Sequence, residues 1–242
     1  MNSGFYDIHC HILPGADDGA KIFTEALDML NIAYNDGIRH IVLTPHYQKG
    51  HFELPLEQLK VRYEILKKEA KKQFPDMELY LGTEICHFHD VPLELTQGKV
   101  ASIAGTRYVL VEFYPKSELR SIFAGLQEIQ MAGYNPILAH VERYEALNGN
   151  LDEILHLIRM GIYIQVNASS VIGKSGRKTK NFVKKLLERD MVHFIGTDAH
   201  GIEHRRPVLS ECASYITRKW GQEYTELLLK EYPQRMLNDE YI

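Results

Sequence analysis

The 242-residue chain has few cysteines, no long apolar run and no excess of positive charge. Its three cysteines form no CxxC pair, which argues against a disulfide framework or a thiolate zinc site and favours a reducing, cytoplasmic setting. No apolar stretch approaches the ~18 residues of a membrane span, and the first residues lack the pattern of a signal peptide. A net charge of −4 is a poor match to non-specific nucleic-acid binding.

The overall composition is that of a globular protein, with 45% hydrophobic and 25% charged residues. Barrels of the α/β class commonly reach ~200–250 residues as one unit, so we expect a single domain over residues 1–242. The unusual feature is histidine, which occurs twelve times.

A unit recurs along the chain: a helical stretch, a glycine and a short apolar run. Gly37, Gly133 and Gly161 each stand at this junction, where glycine suits the left-handed position that ends a helix. The apolar runs read as buried strands. Seven candidate strands follow, at Phe5–His9, His40–Thr44, Glu78–Thr83, Tyr108–Phe113, Pro136–His140, Ile162–Asn167 and Val192–Thr197.

Amphipathic helical patterns fill the gaps between these strands. The clearest are Lys21–Asp36, Leu56–Gln73, Ser117–Ala132, Asn150–Met160 and Thr179–Arg189. Strands that alternate with helices predict an α/β fold of parallel βαβ units. Seven units favour a distorted (β/α)7 TIM-like barrel, and a doubly wound open sheet is the alternative.

Histidine and carboxylate residues cluster at the carboxyl ends of the candidate strands. In a barrel all of these ends meet at one face, where active sites are built. We therefore expect nine side chains to share one cavity although they span nearly the whole chain. They are His9, His11, Asp18, His46, Glu84, Glu112, His140, Asp198 and His200. Asp17, beside them, reads as a turn former or helix cap.

The chemistry of this set points to metal ions, because neutral imidazole and carboxylate are preferred ligands of zinc, manganese and iron. Alternate residues of a strand share a side, so His9 and His11 can contact one ion while Cys10 points away. Nine ligands exceed the need of one ion and indicate two or three. Three divalent ions against four carboxylates leave a local charge of +2. Such a site suits a phosphate, and clustered metals can generate hydroxide that attacks phosphorus.

Basic residues accompany this face. Arg143 and Arg206 follow the strand-end histidines, and guanidinium suits bidentate phosphate recognition. The loop after the sixth strand is basic and flexible, which would suit an acidic substrate or equally a solvated loop. Its cations are Lys174, Arg177, Lys178 and Lys180. Tyr47 and Phe52 could flank the substrate, although packing in the core or at the surface is the default interpretation of both.

One motif argues for different chemistry. Cys212 and Arg218 have the C-x5-R spacing of cysteine-based tyrosine phosphatases. That mechanism needs a cradle of backbone N–H groups and an acidic thiol. The segment holds no glycine, and its apolar residues have helical spacing. We therefore interpret it as a helix that faces the core.

The ordered motifs HCH, DDG, TPH, GTE, VEF, AHVERY, QVNASS and TDAH resemble the PHP (polymerase and histidinol phosphatase) superfamily. Within it they resemble the bacterial protein-tyrosine phosphatases encoded with capsule and exopolysaccharide genes. The similarity runs from Tyr6 to about Pro207. It implies a distorted barrel of the PHP type with three divalent ions, usually manganese, although iron, zinc or cobalt suit the same ligands.

The resemblance also implies which residues share each ion. One ion would be held by His9, His11, Glu84 and Asp198. A second would be held by Glu84, Glu112 and His140, with Glu84 bridging. A third would be held by Asp18, His46 and His200. Arg143 and Arg206 match the arginines that bind phosphate.

The function expected from these observations is a metal-dependent phosphotyrosine-protein phosphatase that works by attack of metal-bound hydroxide. The resemblance implies that its partner is the phosphotyrosine tail of a bacterial tyrosine kinase controlling capsular or exopolysaccharide synthesis. The enzyme would be cytoplasmic and would approach the membrane only through that kinase. The alternatives are a histidinol-phosphate or other small phosphomonoester phosphatase and a non-catalytic, metal-stabilised kinase-binding module. An amidohydrolase would usually place a bridging lysine where this chain has Glu112.

Overall fold

The computed structural model describes residues 4–242. Its strands form two sheets in which every pair is parallel, ordered β1-β2-β4 and β3-β5-β6-β7-β8-β9. The strands are β1 (Phe5–Cys10), β2 (Ile38–Leu43), β3 (His46–Tyr47), β4 (Glu78–Leu81), β5 (Glu84–Cys86), β6 (Tyr108–Glu112), β7 (Asn135–Leu138), β8 (Tyr163–Asn167) and β9 (Phe194–Gly196).

The two sheets join into a distorted barrel. A parallel bridge between Cys10 and Ala199 closes the barrel on one side, where β1 follows β9. On the other side, residues 82 and 83 carry the chain from β4 in one sheet to β5 in the other. The predicted barrel is therefore confirmed, and the doubly wound open sheet is not what forms.

Helices cover the outside of the barrel. They are α1 (Phe23–Asn35), α2 (Leu56–Gln73), α3 (Val91–Thr96), α4 (Leu119–Met131), α5 (Leu151–Arg159), α6 (Ala168–Ile172), α7 (Arg177–Leu187), α8 (Ser210–Trp220), α9 (Gln222–Glu226) and α10 (Tyr232–Leu237). A π-helical turn at Leu227–Glu231 joins α9 to α10. Among residues 4–242, no helix has both the length and the apolar character needed to cross a bilayer.

One predicted strand divides in two. The segment Glu78–Thr83 ends as a strand at Leu81, and a new strand begins at Glu84 in the other sheet. Gly82 stands at the crossing, and a side chain there would lie 3.1 Å from Val42 Cγ1. The chain can change sheets at this point because glycine permits so close an approach.

Two apolar clusters fix the position of the polar face. The larger packs the helices against the outside of the barrel. The smaller draws Ile8, Leu110, Ile137 and Phe194 from four different strands, so it fills the interior, and Met236 of α10 joins it. Because this smaller cluster fills the interior, polar side chains gather outside it, at the carboxyl ends of the strands.

Candidate metal centre

The structure brings all nine predicted ligand residues to the carboxyl ends of the strands. His9 lies in the last two residues of β1, and Glu112 ends β6. His46 follows β2 and opens the short β3, Glu84 follows β4 and opens the short β5, and the others follow strands in short loops. Imidazole or carboxylate atoms come within 4.8 Å of one another in three overlapping groups. The groups are His9, His11, Glu84 and Asp198; His11, Asp18, His46 and His200; and His46, Glu84 and Glu112.

Glu84 lies at the centre of this arrangement and is fully buried. Its Oε2 atom is 3.1 Å from His9 Nε2, 3.2 Å from His11 Nε2 and 3.1 Å from His46 Nδ1. Its Oε1 atom is 2.9 Å from the Nε2 atom of His140, which is also 3.5 Å from a Glu112 oxygen. One carboxylate thus contacts four imidazoles, which is the geometry of a bridging ligand.

Burial decreases from the floor of the centre to its mouth. His9, His11 and Glu84 are wholly inaccessible, and Asp198 and His140 nearly so. The side chain of Glu112 is 18% exposed and that of Asp18 52% exposed. The centre is therefore open to solvent at Asp18 and Glu112.

The hydrogen bonds at the floor leave lone pairs that face one another. His11 Nδ1 is 2.6 Å from an Asp17 oxygen, and His9 Nδ1 is 3.3 Å from the Gln165 side-chain oxygen. Both oxygens are acceptors, so each Nδ1 carries the hydrogen and each Nε2 presents a lone pair. The two Nε2 atoms are only 3.3 Å apart.

Other buried atoms in the described residues also lack a hydrogen-bond donor or acceptor. They include Glu84 Oε2, His46 Nδ1 and His140 Nδ1. Orphaned lone pairs of this kind are costly in a dry interior. Divalent cations accept several such lone pairs at once, so the donor set fits metal ions.

The electrostatics of the protein alone also require positive charge here. Burial would raise the pKa of Glu84, but the adjacent His9, His11 and His140 outweigh it and hold that pKa well below its usual range. Burial likewise opposes the charge of Asp198, yet His9, His11 and Arg143 lower its pKa strongly. Burial would lower the pKa of His140, whereas Glu112 and Glu84 raise it to about 9. The carboxylates thus stay charged, and they raise the pKa values of the His11, His46 and His140 imidazoles.

Two arginines meet at Asp198. Arg143 Nη2 donates to one carboxylate oxygen and Arg205 Nη2 to the other. Arg205 Nε also donates to the Asp198 carbonyl at 3.1 Å. The sequence singled out Arg206, whose side chain has no hydrogen-bond or ion-pair partner in the described part of the chain and lines the adjacent cavity. Arg205 was missed because a pair of adjacent arginines gives no sign of which one turns inward.

Asp17 is a second residue whose role the sequence did not reveal. Its Oδ1 atom accepts the Gly19 N–H at 2.9 Å, which is the turn that was expected. Its Oδ2 atom also accepts the His46 backbone N–H at 2.8 Å, besides facing His11. The carboxylate therefore orients one ligand side chain and fixes the backbone of another. The doubled aspartate before glycine indicated the turn but neither of these two contacts.

The candidate substrate residues are spread more widely. The Tyr47 hydroxyl donates to the buried carboxylate of Glu94 at 2.6 Å, so its polar end is engaged. Phe52 stacks on His46, with ring centroids 5.6 Å apart. Lys174 pairs with Glu211 at 2.8 Å.

Three of the four basic residues of the loop, which are Lys174, Arg177 and Lys178, separate in the structure. Lys174 lines a cavity of ≈ 510 Å³ whose floor includes Asn167 and Asp198. Arg177 and Lys178 are exposed in the first turn of α7, and Lys178 borders a different, smaller cavity. Lys174 alone among them therefore lies beside the centre.

Cys212 lies on α8 and is buried in the larger apolar cluster, as the helical spacing predicted. Burial raises the pKa of its thiol above the usual value. A protonated, inaccessible thiol cannot act as a nucleophile, so the C-x5-R motif carries no catalysis.

A family model described as "Capsular polysaccharide synthesis, CpsB/CapC" matches residues 5–238. The tyrosine-protein phosphatase CpsB of Streptococcus agalactiae is 34% identical over 241 residues, which cover 98% of this chain and 99% of that protein.

Two solved structures share the fold of this chain at different levels of similarity. YwqE from Bacillus subtilis and CpsB from Streptococcus pneumoniae are described as "unique metal-dependent tyrosine phosphatases"; the match has a TM-score of 0.91 at 30% identity and covers 98% of this chain and 96% of that chain. The phosphotriesterase homology protein of Escherichia coli matches with a TM-score of 0.63 at 14% identity, covering 98% and 99% of the two chains, and shares the fold alone.

Proposed function

The chain belongs to the CpsB/CapC family of capsular polysaccharide synthesis and is a metal-dependent tyrosine-protein phosphatase, and we propose that its reaction takes place at the nine-residue centre. The observation that carries this assignment is that three ligand groups share members: the buried carboxylate of Glu84 belongs to two of them, and His11 and His46 link these two to the third. A core of this size gains nothing in stability from so many buried charges unless cations compensate them.

Our proposal for the cofactors is three divalent ions, with manganese as the native metal and iron, zinc or cobalt able to use the same ligands. His9, His11, Glu84 and Asp198 would hold the first. Glu84, Glu112 and His140 would hold the second, and Asp18, His46 and His200 the third, with His11 within reach of it. When bound, the ions would supply hydroxide at neutral pH and positive charge toward the phosphoryl oxygens.

The protein's own part in the reaction is to hold and neutralise the phosphate. Arg143 and Arg205 each contact one oxygen of Asp198 and keep further N–H donors for a ligand. Both guanidinium groups stand at the border of the centre and the adjacent cavity. We assign them to the equatorial oxygens of the phosphoryl group, where charge is spread in the transition state. This transfers to Arg205 the role predicted for Arg206.

The substrate that we propose is a phosphotyrosine segment of a bacterial tyrosine kinase in capsule synthesis, met in the cytoplasm. The family description and the names of the relatives support this choice. The centre opens next to a cavity that is polar and bordered by Arg205, Arg206 and Lys174. Such a cavity suits a flexible chain segment better than a small apolar ester.

The proposal is tested by metal content and turnover measured together. Elemental analysis of the purified protein should give about three divalent ions per chain, and hydrolysis of phosphotyrosyl peptide should stop when a chelator removes them and return with Mn²⁺. His140→Ala should abolish turnover while the protein stays folded. The matched control is Cys212→Ala, which should remain active. Full turnover of the chelated protein, or loss of turnover in the Cys212 variant, would refute the proposal.

A further inference from the structure

β8 is a strand of the barrel that carries no histidine, cysteine or carboxylate, yet it has two fully buried polar side chains at the metal face. They are Gln165 and Asn167, with exposures of 0% and 2%. Buried amides are retained only where every donor and acceptor finds a partner. Their partners are the residues assigned to the metals.

Gln165 contacts two ligand residues with one atom. Its Oε1 accepts the backbone N–H of His140 at 2.7 Å and lies 3.3 Å from His9 Nδ1. An amide oxygen can only accept, so it holds the hydrogen of His9 on Nδ1. The Nε2 lone pair of His9 then points at Glu84 and Asp198.

Asn167 extends this contact to a third ligand. Gln165 Nε2 donates to Asn167 Oδ1 at 2.9 Å, and Asn167 Nδ2 donates to Asp198 Oδ2 at 2.9 Å. The Asn167 backbone N–H is itself fixed by Glu142 Oε1 at 2.9 Å. A continuous chain of hydrogen bonds thus runs from His9 and His140 through two amides to Asp198.

The backbone at two of these ligands needs such support. His140 and Asp198 adopt left-handed φ angles of 32° and 53°. Such conformations cost about 1–3 kcal/mol each in residues other than glycine and persist only where neighbours impose them. Gln165 binds the N–H of His140, and Asn167 binds the carboxylate of Asp198, at these strained positions.

We propose that Gln165 and Asn167 are positioning residues that align His9, His140 and Asp198 for metal binding and hold His9 in the tautomer that binds through Nε2. This inference rests on the proposed function, because the aligned residues are its metal ligands. Partners that orient metal ligands typically change metal affinity about 10–100-fold when removed. We expect an effect of this size for Gln165.

The test is Mn²⁺ affinity of the metal-free full chain, measured by competition with a chelator of known affinity. Gln165→Leu removes the acceptor and should weaken Mn²⁺ binding about 10–100-fold. Gln165→Glu keeps an acceptor for His9 and His140 and should hold the affinity within about tenfold of the wild type, since only the donor to Asn167 is lost. The control is Gln130→Leu, since Gln130 donates only to the Met160 carbonyl outside the centre.

The order of the two Gln165 variants separates positioning from packing. If Gln165 merely filled space, a buried charge would be worse than leucine, and Gln165→Glu would be the weaker binder. Thermal unfolding of the metal-free variants, measured beside the affinities, reports the structural cost independently. The double variant Gln165→Leu with Asn167→Ala should lose less Mn²⁺ binding free energy than the two single variants lose together, because both residues belong to one chain of hydrogen bonds.

The proposal is overturned if Gln165→Leu binds Mn²⁺ as the wild type does, or if Gln165→Glu binds it more weakly than Gln165→Leu. A wild-type protein that binds no Mn²⁺, and no Zn²⁺ or Fe²⁺ in the same assay, would instead overturn the proposed function itself. The two failures are therefore distinguishable in one set of titrations.

Discussion

Arg205 and Arg206 are neighbours in the chain but differ in what they touch. Arg205 binds the Asp198 carboxylate and carbonyl, whereas the Arg206 side chain lines the cavity without a partner among residues 4–242. Hydrogen bonds to charged groups contribute about 1.5–3 kcal/mol, so Arg205→Ala should lower kcat/KM about 10–100-fold. We expect Arg206→Ala to lower it less, and steady-state kinetics with p-nitrophenyl phosphate compare the two.

The small ester is the right substrate for this comparison because it has a phosphate but no flanking chain. Each variant should retain the metal content of the wild type, which excludes loss of the ions as the cause. If Arg206→Ala were the slower enzyme, the phosphate contact would belong to Arg206, as the sequence alone predicted.

His193 offers a prediction about pH. Its Nδ1 atom accepts the Ile164 N–H at 3.1 Å, and burial lowers its pKa to about 4. In the unfolded chain the pKa is near 6.5, so between pH 6.5 and 4 the unfolded state binds more protons. The stability due to neutral His193 is complete above pH 6.5 and is lost as the pH falls toward 4. The loss at pH 5 is about 2 kcal/mol.

Urea unfolding of the chelated protein at pH 7 and pH 5 measures this loss. His193→Asn keeps an acceptor for the Ile164 N–H but cannot titrate. The stability difference between the two pH values should therefore be about 2 kcal/mol smaller in the variant than in the wild type. Equal pH dependence of the two proteins would show that His193 is not the group responsible.

The strands β1 and β9 approach each other closely at the centre. A Cβ atom on Gly196 would lie 2.6 Å from His9 Cβ. Gly196→Ala must therefore push β9 away from β1 and separate His9 from Asp198. Overpacking of this kind costs about 1–3 kcal/mol, and Mn²⁺ affinity should fall with stability.

Gly201→Ala is the matched control for this change, because the nearest atom to its new Cβ would be 3.5 Å away. Thermal unfolding of the metal-free proteins should show a lower midpoint for the Gly196 variant alone. An unchanged midpoint and unchanged Mn²⁺ affinity in Gly196→Ala would mean that the two strands are not held together as described.

Elements with a strong periodic pattern were predictable from the sequence, and elements defined by tertiary contacts were not. The helix Leu56–Gln73 was predicted with its observed bounds, because its apolar spacing is long and regular. The strands β3 and β5 have two and three residues, too few to form a pattern. They exist because the sheet changes partners at Gly82, which only the closed barrel reveals.

The residues of the centre likewise divide into those that the sequence could predict and those that it could not. The nine residues predicted as ligands could be picked out because imidazole and carboxylate at strand ends are unusual in themselves. Gln165 and Asp17 could not, since an amide or a carboxylate near a turn has ordinary uses, and only the distances to His9 and His11 set them apart. The role of Arg205 could not be predicted, because the residue adopts a left-handed φ of 49° that the neighbouring sequence does not indicate.

At the level of the whole molecule, a polar cavity lies beside the centre, bordered by segments that follow β8 and β9. The Lys174–Glu211 ion pair joins its two walls at 2.8 Å. The cavity begins at Arg143 and Asp198, where the phosphate would lie. We therefore expect the substrate residues next to the phosphotyrosine to lie along this cavity and to contact Lys174.

Reversing the charge at Lys174 tests that path. Lys174→Glu should lower kcat/KM about tenfold for a phosphotyrosyl peptide with acidic neighbours, which is an energetic loss of about 1.4 kcal/mol. Turnover of p-nitrophenyl phosphate should change much less. Lys178→Glu makes the same change of charge on α7, but Lys178 borders another cavity. If both variants lowered peptide turnover equally, long-range attraction would explain the effect, because only contact within the cavity distinguishes Lys174 from Lys178.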